Sequence, residues 1–106
     1  MNDLVSRLND LISEINTLLR ENNDPDFDQQ LWDLRHLVSA LRDSALGKIL
    51  DQTTADYGAA IAALNDADTA ATAASADIAK VQAAIDKITG AAKAADKVIG
   101  LLGRLA

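Results

Sequence analysis

Between Leu4 and Leu19 the apolar residues are Leu4, Val5, Leu8, Leu11, Ile12, Ile15, Leu18 and Leu19. They recur at three adjacent positions of a seven-residue repeat. That stripe predicts a helix buried along one side in a bundle. Asn2 or Asp3 serves as its cap, and Asn22-Asn23 ends it. Asp24-Pro25-Asp26 then opens a second helix, with an N-cap Asp, a Pro at the first helical position and an acid in the first turn. Phe27, Leu31, Leu34, Val38, Leu41 and Ala45 follow at alternating four- and three-residue steps. Ile49 and Leu50 fall out of register, which predicts a break between Gly47 and Thr53. The short connection between the first two segments predicts an antiparallel hairpin over residues 3–50.

Beyond residue 50 the periodicity persists while the composition changes. Residues 51–106 hold 19 alanines against 2 in residues 1–50. Tyr57, Ala60, Leu64, Ala67, Ala71, Ala74, Ile78, Val81, Ile85, Ile88, Ala92, Ala95, Ile99 and Leu102 keep the seven-residue register throughout. Two readings of residues 53–104 compete. A single helix would run roughly 70 Å at about 1.5 Å per residue and would need another chain to cover its far half. A turn near Asn65-Asp66-Ala67-Asp68, or one capped by Ser75, would fold it into a second hairpin. Length match and capping residues favour the turn. The predicted fold is therefore all-α, a single domain over residues 1–106. It is an antiparallel up-and-down bundle of three or four helices, with heptad, coiled-coil-like packing and an alanine-rich C-terminal half.

Composition narrows the chemistry. A hydrophobic fraction of 49% excludes a disordered chain, and an aromatic fraction of 3% leaves the core to aliphatic residues. The absence of cysteine excludes disulfides, thiolate metal sites and a Cys nucleophile. Net charge is −6: residues 1–74 carry 13 acids and 5 bases, residues 75–106 carry 3 acids and 5 bases. An acidic majority repels phosphate backbones, so no nucleic acid is expected as a partner. Met1-Asn2-Asp3 begins no basic, signal-like segment, and no run approaches the roughly 20 apolar residues of a spanning helix. A cytoplasmic protein is expected, although a substrate of leaderless secretion would look the same.

Candidate reactive groups do not assemble. Asp24, Asp26 and Asp28 resemble the start of a calcium loop, but Gln29 stands at its glycine position and Arg35 at its final glutamate. They read as dipole-stabilising acids in a first helical turn. His36, the single histidine, has Asp33 as its one acidic neighbour on the helix, too little for a metal site. Glu14 and Glu21 flank a solvated face. The Trp-x-Gly turn of the small WXG-type secreted proteins is absent, because Asp33-Leu34 follows Trp32. No enzyme activity, cofactor or metal is expected.

What remains is surface for binding. Trp32 lies beside the core stripe, where it closes the core edge or marks a contact. Val98, Ile99, Leu101, Leu102 and Leu105 spread around most of a helix that follows Lys87, Lys93 and Lys97. An end that is apolar all round must be buried in something. With Ile78, Val81, Ile85 and Ile88 on the heptad stripe, these are the candidate interaction residues. The expected function is a non-enzymatic, helix-mediated interaction or assembly protein that associates with itself or with a helical partner. One alternative is a membrane- or granule-surface protein binding through its C-terminal helix. Another is an acidic inhibitor or immunity-type protein that captures a basic partner.

Overall fold

Capping chemistry sets where the helices begin. The computed structural model describes residues 3–22, 24–47 and 50–100. Its elements are α1 (Asp3–Glu21), α2 (Pro25–Leu46), α3 (Ala55–Ala76), a 3-10 turn (Ile78–Lys80) and α4 (Val81–Ile99). At the start of α2 the Asp24 carboxylate accepts the Asp26 N–H at 2.9 Å, and Pro25 occupies the first turn. At the start of α3 the Thr54 hydroxyl accepts the Tyr57 N–H at 3.2 Å. Each cap satisfies an amide that the helix itself leaves unpaired.

The second half is a hairpin, and the turn falls at residues 77–80. Both expected positions need correction. Asn65 to Asp68 lie inside α3, and Ser75 stays in that helix, donating to the Thr72 carbonyl at 2.8 Å. Asp77 is the residue that breaks it. Its backbone is extended (φ −148°, ψ 105°), and its carboxylate accepts the Ala79 N–H at 3.1 Å. The turn takes up about as many residues as one helical turn, so Ala74 and Val81 both remain buried, seven apart. Ile78 is turned outward instead, at 58% exposure.

The helices are 19, 22, 22 and 19 residues long and pack into a body 39 × 25 × 20 Å across. α1 packs on α2 and α3, and α4 packs on α3 and α2, which leaves α1–α4 and α2–α3 as the diagonals. Each hairpin is antiparallel. Asn9 and Asn16 of α1 face Arg42 and Arg35 of α2, and Asp56 of α3 faces Lys97 of α4. Across the hairpins, however, α1 and α3 run parallel. The Leu4 N–H donates to the Tyr57 hydroxyl at 3.1 Å, joining start to start, and Thr72 donates to Glu14 further along at 3.4 Å. α2 and α3 therefore sit diagonally across the bundle, whereas simple up-and-down succession would set α3 beside α2.

Core volume is divided unequally. α1 buries Leu4, Val5, Leu8, Leu11, Ile12, Ile15 and Leu18. α3 buries Ala60, Ala67, Ala71 and Ala74, with Leu64 and Tyr57 as its only large buried side chains. Large residues on α1 are matched by small ones on α3, which lets the layers interdigitate. No polar or charged residue among those described is buried, and no buried side-chain nitrogen or oxygen there lacks a hydrogen bond.

Candidate interaction surface

The outer face of α2 carries apolar residues that the core does not use. Trp32 is 43% exposed and Leu46 59% exposed. Fourteen residues separate them in sequence, four helical turns at 3.6 residues each to within a fraction of a residue. Both therefore lie on one stripe, with His36, Ser39 and Asp43 between them. The buried stripe of α2, made of Leu31, Leu34, Val38, Leu41 and Ala45, lies on the opposite side.

Trp32 is held in place by its neighbours. The Arg35 guanidinium carbon sits 5.5 Å from the indole centroid, within cation–π range. Arg35 is itself fixed, because its Nε donates to Asn16 Oδ1 at 2.7 Å. The His36 ring lies 6.2 Å from the indole, tilted by 34°. Beside Trp32 an open groove of roughly 620 Å³ runs between the first two helices. Ser13, Asn16, Thr17 and Arg20 line it from α1, and Asp28 and Trp32 from α2. At the other end of the stripe, Asp43 accepts from Arg42 Nη2 at 3.1 Å.

The acids read as a truncated calcium loop have structural tasks. Asp24 is the cap of α2, and Asp26 and Asp28 lie in its first turn. Among the described residues no group of three or more His, Asp or Glu side chains is placed to hold a metal ion. One carboxylate departs from ordinary behaviour. Asp51 accepts the Thr53 hydroxyl at 2.6 Å and the Thr53 N–H at 3.0 Å, and these bonds hold its pKa below the usual carboxylate range. That pair belongs to the connection into α3.

The residues singled out from sequence divide into three groups. Trp32 and Ile78 are exposed. Val81, Ile85, Ile88 and Ile99 are buried in this chain's own core, with Val98 packed half-buried against it. Leu101, Leu102 and Leu105 lie outside the described residues. α4 itself ends at Ile99, where Gly100 adopts φ 79° and its N–H bonds the Asp96 carbonyl, the left-handed helix stop. Two features escaped the sequence reading. Leu46 closes the exposed stripe, and its signal was the fourteen-residue interval from Trp32. The Asn9–Arg42 and Asn16–Arg35 rungs were signalled by matching seven-residue intervals in the two helices.

No described helix is long and apolar enough to cross a membrane. Comparison with protein-family models, with curated proteins and with solved structures gives no match to this chain.

Proposed function

We propose that this chain is a non-enzymatic, helix-mediated interaction or assembly protein that associates with itself. The observation that carries the reading is the stripe from Trp32 to Leu46. Two large apolar side chains stand out on one helix face, while Leu31, Leu34, Val38, Leu41 and Ala45 turn the other side of α2 into the core. Trp is enriched where binding energy concentrates, and a ring fixed by Arg35 gives up little freedom on contact. Coiled-coil-like heptad packing along the alanine-rich seam belongs to the same proposal. Its support is the burial of Tyr57, Ala60, Leu64, Ala67, Ala71 and Ala74 at alternating three- and four-residue steps.

The test is thermal unfolding at increasing protein concentration. An assembly that binds only folded chains raises its own melting midpoint by mass action. The midpoint should climb from the micromolar to the millimolar range. A midpoint independent of concentration would remove self-association from the proposal.

A further inference from the structure

We infer that a second copy of this chain docks on the outer face of α2, antiparallel and about a two-fold axis that passes by Ser39. The inference rests on the self-association proposed above and names its surface. Trp32 and Leu46 lie seven residues either side of Ser39, and Arg35 and Asp43 lie four either side. An antiparallel pairing of two α2 helices centred there sets Trp32 of one copy against Leu46 of the other. The same operation sets Arg35 against Asp43, and each contact occurs twice, as an isologous interface requires.

Three observations favour this occupant over an unrelated protein. The first is charge. Asp43 is exposed, and its contacts with Arg42 of the same chain all fall on Oδ1, which leaves Oδ2 to accept from a second partner. Among the described residues Arg35 has no carboxylate partner, so the face can pair Arg35 with Asp43 at self-complementary positions. The second is shape. Ser39 is small, so the helices can approach closely where they cross. At an interaxial distance of about 8–10 Å with Cα atoms about 2.3 Å from each axis, backbones at the crossing come within roughly 3.5–5.5 Å. The third is area. A side of the molecule measuring 39 by 20 Å caps the contact at about 800 Å² per copy, which leaves room for the roughly 500 Å² from each partner at the lower end of specific interfaces. His36 falls opposite Arg42, a contact that adds no attraction.

The chain lacks cysteine, so one introduced thiol reports position directly. Ser39→Cys should oxidise to a covalent dimer of unchanged helical circular dichroism, because Cα atoms at the crossing lie within disulfide reach. Ala83→Cys, exposed on α4, should stay monomeric under the same oxidant. Trp32→Ala and Leu46→Ala should each weaken association about tenfold or more. Arg35→Asp or Asp43→Arg should weaken it, and the double exchange should restore it. A dimeric wild type with no Ser39→Cys cross-link, or with no loss in the Trp32 and Leu46 variants, would overturn this surface and leave self-association standing. A wild type that is monomeric at millimolar concentration would overturn both.

Discussion

Single hydrogen bonds join the two hairpins, and the clearest is between Leu4 and Tyr57. Leu4 is fully buried in the first turn of α1, where its N–H has no helical acceptor, and the Tyr57 hydroxyl takes that role. Tyr57→Phe keeps the ring and leaves the amide unsatisfied. The expected cost is about 1–3 kcal/mol, read as a lower denaturant midpoint with unchanged slope. A midpoint equal to wild type would mean the bond contributes nothing. Asp51 gives a prediction with a definite sign. Its folded pKa is depressed by the Thr53 bonds, so its stabilisation is present above the usual carboxylate range and lost as pH falls through the lower folded value. The stability gap between wild type and Asp51→Ala should be constant near neutrality and shrink in acid. A gap that widens in acid would refute the assignment. Sequence revealed Asp24 as a cap because its spacing to Pro25 is local. It could not reveal the Tyr57 bond, whose partners are 53 residues apart.

Helices, taken as units, were largely legible. Amphipathic spacing located α1 and α2, because a stripe of period near 3.6 has to face a core, and it left residues 53–104 open between one long helix and a hairpin. The break at Asp77 lies two residues beyond Ser75 and nine beyond Asp68, the two places where sequence suggested it, and the reason is geometric. A four-residue turn preserves the seven-residue register, so periodicity continues across it and only capping chemistry marks the site. Two glycines, one within α4 and one at its C-terminal cap, should respond with opposite signs. Gly90 is helical and exposed, and a Cβ there would meet nothing within 4 Å. Gly90→Ala should therefore stabilise the protein by about 0.4–1 kcal/mol. Gly100 has φ 79°, where a side chain is strained, so Gly100→Ala should cost about 1–2 kcal/mol. Thermal melts of both variants check this, and a shift of the same sign in each would contradict the roles assigned to them.

At the scale of the whole molecule, the apolar stripe of α4 is covered by the chain's own core. Residues such as Ile85, Ile88 and Ile99 looked available to a partner because a long helix could not cover them alone. Folding α4 back on α3 buries them within one chain. Helix order was equally hidden: α1 and α3 are neighbours and α2 and α3 are diagonal, and no periodicity encodes which helices become neighbours. The binding surface that remains, Trp32 to Leu46, was visible only in part. A sequence reading seeks apolar stripes that fill a core, and two isolated apolar residues fourteen apart do not form one. Once the fold assigns every other large side chain of α2, those two stand out. The most direct test of the account is sedimentation equilibrium of the wild-type chain and Trp32→Ala at millimolar concentration. Wild type should sediment at the dimer mass, twice 11.2 kDa, and the variant should shift toward monomer. A wild type that sediments as a monomer would contradict it.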